Sequence, residues 1–300
     1  MRTVLKWVLR LLLLLVLILA LGLGYVYWRS AALMAKTYDV AVPDVTIPSD
    51  ELSIARGKHL VEKVSLCIEC HDRDLGGKIV SDDVAFGHLA ATNLTRGRGG
   101  IGTRYKDEDY VRAMVHGVKR DRHSVLFMPS ADYKFTESDL GAIVAYIRSV
   151  PPVTREFPKP SIGPMARALG VAGKFPLFVA EMIDHRNVAF AKPVDQANPV
   201  SAGDYLISTA GCRGCHRPDF TGGAGPPPGA SNLTPVGIGG WSEADFIRAI
   251  REHKRPDGSA IAEEMPRIYG TMSDEDLQKM FAFLKTVPPK GQKTKNQLKG

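Results

Sequence analysis

The chain has 300 residues, 44% of them hydrophobic and 24% charged, a composition that excludes global disorder and leaves room for two modest domains. Its formal charge of +7 at pH 7 lies mainly at the two ends. Residues 1–36 hold five basic side chains and no acidic one, and residues 290–300 hold four more basic ones. Because the segment between them is close to neutral, a nucleic-acid partner is excluded.

The first 36 residues are predicted to anchor the protein in a membrane. From Trp7 to Trp28 the 22 residues are interrupted by one charge, Arg10, and as a helix they span roughly 33 Å, enough for a hydrocarbon core. Basic residues precede the span, so the N-terminus is expected in the cytoplasm and the rest in the periplasm, attached to the inner membrane by a single pass. The alternative is a cleaved signal peptide with Ser30 and Ala32 at the cleavage site, although the apolar run is longer than a signal core.

The rest of the chain contains an internal repeat, which divides it into module 1 (50–152) and module 2 (200–290). Six short segments recur in the same order at offsets between 136 and 145. They are Cys67–His71 with Cys212–His216, Asn93–Thr95 with Asn232–Thr234, Gly100–Gly102 with Gly237–Gly239, Asp109–Ala113 with Asp245–Ala249, Met128–Pro129 with Met265–Pro266, and Ser149–Pro152 with Thr286–Pro289. Residues 153–199 are too apolar for a flexible tether and are predicted to form a structured connector, and residues 291–300 are a lysine-rich tail.

Helical periodicity dominates both modules, so we predict an all-α fold with two tandem domains. Thr136 and Ser273 are expected to cap equivalent helices that end at the two Val-Pro-Pro sequences. Further helices are expected at about 50–65, 107–116, 201–210 and 242–253. No stretch alternates with period two for long, so strands are not expected.

All four cysteines belong to two Cys-x-x-Cys-His motifs: Cys67, Cys70 and His71, and then Cys212, Cys215 and His216. This spacing is typical of c-type haem attachment, because two thiols on one helical turn reach the vinyl groups of one haem edge and the histidine that follows ligates the iron. A shared zinc site is disfavoured by the long repeat between the motifs, a thioredoxin-like pair lacks its βαβ context, and a disulfide would not explain the histidines. The sequence therefore predicts two covalently bound haem c groups.

Methionines at equivalent positions are the candidates for the second axial ligand of each iron. Met128 and Met265 are both followed by proline, whose fixed φ suits a loop that presents a thioether. A thioether is a soft ligand that raises the reduction potential. In module 1, His88, His116 and His123 remain alternatives. Two irons saturated in this way have no open position for a substrate, which predicts outer-sphere electron transfer and no catalytic residue.

Four more residues at matching positions are candidates either for haem contacts or for ordinary turn and core positions: Asn93, Asn232, Tyr105 and Trp241. The asparagines are expected in tight loops, where they would donate to a haem propionate or to backbone near the methionine. The aromatic residues are expected to pack at the haem edge or to hydrogen-bond to it.

Residues 232–246, Asn-Leu-Thr-Pro…Gly-Ile-Gly-x-Trp-Ser-x-x-Asp-Phe, with Met-Pro at 265 and Ser-Asp-Glu-Asp-Leu at 273–277, resemble membrane-bound multihaem cytochromes c. The similarity is greatest to the cytochrome subunits of periplasmic alcohol and gluconate dehydrogenases, and it covers roughly 50–150 and 200–290. It implies two tandem cytochrome c domains that relay electrons from a dehydrogenase towards quinone or a terminal oxidase. Module 1 departs at Arg96 and Tyr105, and those subunits usually carry three haems where this chain has motifs for two.

Two other functions remain open at this point. The first is a dihaem peroxidase, in which one iron opens to bind peroxide with a module 1 histidine involved. The second is the dihaem subunit of a haem–copper oxidase, which would also be an anchored chain.

Overall fold

The computed structural model describes residues 2–223, 229–294 and 297, and the described chain is mostly helical, as predicted. The α-helices are α1 (Arg2–Ala35), α2 (Glu51–His59), α3 (Cys67–His71), α4 (Asp107–His116), α5 (Glu137–Ser149), α6 (Pro164–Val171), α7 (Pro199–Thr209), α8 (Cys212–His216), α9 (Pro235–Ile238), α10 (Glu243–Glu252) and α11 (Asp274–Thr286). Shorter helical segments are a π segment (Leu60–Val64) and two 3-10 segments (Val179–Met182 and Arg267–Thr271).

α1 is 34 residues long and projects from the rest of the fold. Its side chains are exposed along almost the whole helix, and only near its end are two of them, Ser30 and Leu33, buried. By length and composition it fits both a membrane-spanning anchor and a signal sequence.

Each module contains a close crossing of two helices, α2 with α5 and α7 with α11. A glycine lies at each crossing: a Cβ on Gly57 would be 1.9 Å from the Ala142 carbonyl oxygen, and a Cβ on Gly203 would be 1.9 Å from the Lys279 carbonyl oxygen. Both α5 and α11 begin at the predicted caps, where the Thr136 and Ser273 hydroxyls accept an amide N–H three residues on, and both end before Pro-Pro. The equivalent pairs therefore pack in the same way.

Between the crossing glycine and the attachment helix, module 1 is one residue longer than module 2, and a π turn accommodates the extra residue. Module 1 has nine steps from Gly57 to Leu66, where module 2 has eight from Gly203 to Gly211. The π segment lies in this interval, whereas α7 stays α-helical. A single π turn inserts one residue into a helix without breaking it.

The expectation of no strands is wrong at one place. β1 (Ile79–Asp83) and β2 (Gly87–Ala90) form an antiparallel hairpin with Asp82 opposite His88. Asp83 holds the turn, because its carboxylate accepts the N–H groups of Ala85 and Phe86. Gly87 has φ +97°, and a Cβ there would lie 2.2 Å from the Ser161 carbonyl oxygen. Strands this short carry too little alternation to be seen in the sequence.

The connector contains α6, which packs against α1, and the first 3-10 segment, which packs against Gly117 of module 1. The connector shares a small apolar cluster with the end of α1 and with β2: Leu33, Leu89, Ile162, Ala166, Leu177 and Phe178. Of the lysine-rich tail, Lys293 is exposed, and Lys295 and Lys299 lie outside the described residues.

One continuous apolar core extends through both modules, and two equivalent aspartates tie them together. Asp139 in α5 accepts two hydrogen bonds from the Arg56 guanidinium, at 2.9 and 2.8 Å, and one from the Tyr205 hydroxyl of module 2. Asp276 in α11 lies 3.0 Å from His59 Nε2 of module 1. Burial pushes the pKa of Asp276 upward, but hydrogen bonds from His59 and from its own cap outweigh burial, so the net shift is downward. Each module thus supplies a side chain that binds the aspartate in the first turn of the other module's last helix.

Candidate haem-binding sites

The two Cys-x-x-Cys-His motifs fold into equivalent single-turn helices, α3 and α8. The residue before each helix is left-handed, Leu66 with φ 56° and Gly211 with φ 71°. The residue after it combines a positive φ with an extended ψ, Asp72 with φ 64° and ψ 167° and Arg217 with φ 67° and ψ 160°. A positive φ at each end limits the helix to one turn. Three of these four residues are not glycine, so the surrounding fold imposes the conformation.

Each motif histidine is oriented by one hydrogen bond from its Nδ1 atom. His71 Nδ1 lies 2.8 Å from the Thr92 carbonyl oxygen, and His216 Nδ1 lies 2.8 Å from the Ser231 carbonyl oxygen. Burial lowers the pKa of both imidazoles, which favours the neutral form. With Nδ1–H donated to a carbonyl, Nε2 is left as the bare nitrogen that a metal ion requires.

The four thiols of the two motifs form no disulfide. Burial raises the pKa of Cys67 and of Cys212 to about 12, so these two thiols are protonated as long as no group is bound to them. Among the described residues no three His, Cys, Asp or Glu side chains converge closely enough to hold a metal ion without a macrocycle.

In module 2 a largely apolar cavity brings the predicted ligands together. It encloses about 740 Å³ of atom-free space including its open mouth. Cys212, His216 and Met265 all line it, with Trp241 and Arg255 in the same wall. The other lining residues are mainly apolar: Ile207, Leu233, Ile238, Phe246, Ile250, Ile261, Tyr269, Leu277, Met280 and Leu284. These residues fit a c-type haem.

Arg255 is a cavity residue that the sequence did not point out. Its side chain is 7% exposed, and among the described residues no carboxylate lies within ion-pair distance of it. The guanidinium donates to Ser259 Oγ at 3.2 Å, to the Ala260 carbonyl and to Ser231 Oγ at 3.4 Å. A buried cation is costly unless an anion compensates it, and a haem propionate is such an anion. The sequence shows only that the equivalent position of module 1 also has a basic residue, Lys119.

A second, smaller cavity of about 340 Å³ lies between module 1 and the connector, and Cys67, Cys70 and His71 are not among its lining residues. Met114, Tyr133 and Leu140 line it at positions that correspond to Ile250, Tyr269 and Leu277 of the larger cavity. The connector residues Val188, Ala189 and Phe190 form the rest of its wall. Met128 is half-buried and is not among its lining residues, so its ligation stays a prediction.

The alternative histidines of module 1 have other contacts. Both nitrogens of His116 are engaged, Nδ1 with His185 Nδ1 at 3.1 Å and Nε2 with the Ala41 carbonyl at 3.0 Å. His88 Nδ1 lies 3.1 Å from the Asp82 carboxylate on the opposite strand, and its buried Nε2 has no partner within the described chain. His123 is partly exposed, beside an aspartate on its own turn. None of the three lines the smaller cavity.

The repeated asparagines are structural. Asn93 Nδ2 donates to the Val153 and Arg155 carbonyls, and Asn232 Nδ2 donates to the Lys290 and Gln292 carbonyls. Both side chains are buried, and each binds the backbone of the segment that follows the last helix of its module. Trp241 lies in the cavity wall as expected, whereas the Tyr105 ring packs edge-on against a neighbouring tyrosine.

Two equivalent tyrosines bind the residues that precede the attachment helices, at the contact between the modules. Tyr133 donates to the Ser65 carbonyl at 2.6 Å, and Tyr269 donates to the equivalent Ala210 carbonyl. Tyr133 also approaches module 2, because a Cβ on Gly211 would be 3.5 Å from its ring. Burial raises the pKa of Tyr269 well above its usual value, and the cysteines of its own motif and Tyr133 reinforce the shift. The two motifs are therefore close to each other, with Tyr133 and Tyr269 beside them.

Comparison with known proteins finds a family match in module 2. Residues 200–288 match the Cytochrome c family, and this match supports covalently bound haem c as the cofactor of that module.

The chain as a whole is similar to cytochrome subunits of several dehydrogenases. It is 27% identical over 295 residues to the cytochrome c subunit of alcohol dehydrogenase (quinone) of Gluconacetobacter polyoxogenes, covering 86% of this chain and 60% of the relative. It is 26% identical to the fructose dehydrogenase cytochrome subunit of Gluconobacter japonicus over 87% of this chain and 58% of the relative. It is 26% identical to the gluconate 2-dehydrogenase cytochrome c subunit of Pantoea cypripedii over 81% and 61%. The chain thus spans about 60% of the length of these relatives.

Proposed function

We propose that this chain is the membrane-bound electron-transfer subunit of a periplasmic dehydrogenase complex and carries two covalently bound haems, each ligated by histidine and methionine. The observation that carries the proposal is the module 2 cavity, in which the attachment cysteine Cys212, the oriented imidazole of His216 and the thioether of Met265 share one apolar space.

The residues of module 2 would hold the cofactor rather than transform a substrate. Bound haem supplies one-electron chemistry by cycling between ferric and ferrous iron. His216, held by the Ser231 carbonyl, and Met265 would both ligate the iron, which would leave no position for an exchangeable ligand. The apolar lining excludes water, and Arg255 would compensate a propionate charge. Such a site supports outer-sphere electron transfer.

The same chemistry is proposed for module 1, on the strength of its repeated local geometry. Cys67, Cys70 and His71 have the backbone conformation of the second motif, and His71 makes the equivalent carbonyl bond. We assign the second ligand of this iron to Met128, the repeat partner of Met265. The contact of the attachment helices through Tyr133 supports electron transfer from one haem to the other within the chain.

The proposed position in a respiratory pathway is supported by α1 and by the relatives. α1 would hold the chain in the inner membrane as a single-pass anchor, with both modules in the periplasm. Relatives named as dehydrogenase cytochrome subunits support a dehydrogenase as the electron donor. The acceptor would be quinone or a terminal oxidase.

Reduced-minus-oxidised spectra with ligand titration test the ligation. We expect both haems to be low-spin and inert to cyanide and peroxide. A high-spin haem that binds either ligand would refute two saturated sites and favour the dihaem peroxidase. Purification in mild detergent tests the partner: co-purification of a dehydrogenase is expected, and an oxidase core in its place would make the chain an oxidase subunit.

A further inference from the structure

The last turns of α1 are built into the folded protein. Ser30 is fully buried, and Leu33 is 5% exposed within the apolar cluster shared with the connector. Arg167 of α6 donates to Ser30 Oγ at 2.7 Å, and its guanidinium lies 5.0 Å from the centre of the Tyr27 ring. α6 therefore packs directly on the end of the apolar helix.

The residues that follow α1 are held by contacts with the connector and module 1. Lys36 forms an ion pair with Glu181 of the connector, and the Tyr38 hydroxyl donates to the same carboxylate at 2.6 Å. Thr37 pairs with His123 of module 1 through the backbone. Anchor, connector and module 1 are thus joined without a flexible hinge.

The length of α1 sets the level at which α6 lies. About 20 helical residues cross a hydrocarbon core of about 30 Å, and twenty residues counted from Leu11 reach Ser30. Tyr27 and Trp28 are then at the interface, where aromatic rings concentrate. Because α6 contacts Tyr27 and Ser30, it lies at the level of the lipid headgroups.

Two exposed apolar side chains lie beside this contact. Met165, in the first turn of α6, is 49% exposed, and Val84, in the hairpin turn, is 90% exposed. The segments adjoin, since the Met165 amide donates to the Ala85 carbonyl at 2.9 Å. The two carboxylates beside Val84 make hydrogen bonds within the hairpin. Asp83 accepts backbone N–H groups of its own turn, and Asp82 binds the His88 imidazole on the opposite strand.

We propose that α1 is retained in the mature protein and that the start of α6 and the hairpin turn rest on the phospholipid bilayer, which fixes the orientation of module 1 towards the membrane. The proposal rests on the membrane insertion of α1 proposed above and not on the haem chemistry. Cleavage after Ala32 would remove Ser30 and Tyr27, two of the three partners of Arg167, and leave Leu33 at a new chain end. The occupant of the apolar surface is lipid because the surface is continuous with the point where α1 leaves the bilayer.

Spin labels test the contact in full-length, haem-loaded protein in nanodiscs of phosphatidylethanolamine and phosphatidylglycerol. Labels are placed at Met165→Cys and Val84→Cys, with Leu52→Cys as matched control, because Leu52 is an 84% exposed apolar residue on α2, which packs against α5. Labels at 165 and 84 should be more accessible to oxygen than to a water-soluble nickel chelate, and the label at 52 should show the reverse. Equal, water-like accessibility at all three positions would overturn the proposal.

Two controls separate this result from the proposals on which it depends. Wild-type protein should take up no label, because haem attachment consumes all four thiols; labelling of the wild type would count against the haem assignment alone. Intact mass of the membrane-extracted chain should include residues 2–36. A mature N-terminus at Leu33 would refute retention and the anchor together, whereas an intact N-terminus with water-exposed labels would refute the lipid contact alone.

Discussion

The crossing of α7 and α11 gives the sharpest quantitative prediction. In the variant Gly203→Ala the new Cβ would be 1.9 Å from the Lys279 carbonyl oxygen and 2.6 Å from its carbon, where ordinary contact begins at 3.4 Å. Both atoms are backbone, so the two helices must separate by about 1 Å or more. Overpacking of this kind costs about 1–3 kcal/mol, and the better helix propensity of alanine returns up to about 1 kcal/mol.

We therefore expect Gly203→Ala to lower the free energy of unfolding by about 1–2 kcal/mol. Because both modules share one core, this should lower Tm by about 2–4 °C per kcal/mol. The measurement is urea unfolding followed by circular dichroism on haem-loaded protein. The matched control is Gly240→Ala, because a Cβ on Gly240 has no neighbour within 4 Å, and its effect should stay within about 0.5 kcal/mol. If Gly203→Ala is as stable as the control, the packing account of this helix pair is wrong.

Three further predictions concern the site and its interface. Met265→Ala should keep its haem attached but lose the sulfur–iron charge-transfer band and lower the reduction potential of that site; an unchanged spectrum would move the ligand role elsewhere. Arg255→Gln should lower the same potential in a redox titration, because a buried cation opposes oxidation of the iron; an unchanged potential would place Arg255 away from the haem. Asp276→Asn should cost about 1.5–3 kcal/mol at neutral pH through the lost bond to His59. The pKa of Asp276 is lowered in the folded state, so urea titrations should show this cost in full above about pH 4 and fading as pH falls further; a constant cost would contradict the ionic role.

The sequence predicted those features that depend on local chemistry. The caps at Thr136 and Ser273 form because a hydroxyl accepts an N–H three residues on, whatever the tertiary context. The two attachment helices likewise follow from the motif spacing. The histidine orientation did not, because the carbonyls of Thr92 and Ser231 come from distant loops.

Features that depend on long-range packing were missed or left open. Arg255 is an ordinary arginine in the sequence, and only its burial beside the cavity gives it a role. The β1–β2 hairpin depends on Gly87 meeting Ser161 of the connector, which no local pattern records. The position of Phe190 in the wall of the module 1 cavity is equally non-local, because it lies far along the chain from the other lining residues, Met114, Tyr133 and Leu140.

The number of covalently attached haems tests the account most directly. Intact-mass measurement of the protein matured in the periplasm, paired with a pyridine haemochrome assay, should show a chain heavier than the bare polypeptide by two haems. A mass equal to the bare polypeptide, with no porphyrin in the assay, would contradict haem attachment at both motifs, and a gain of a single haem would contradict the assignment of module 1.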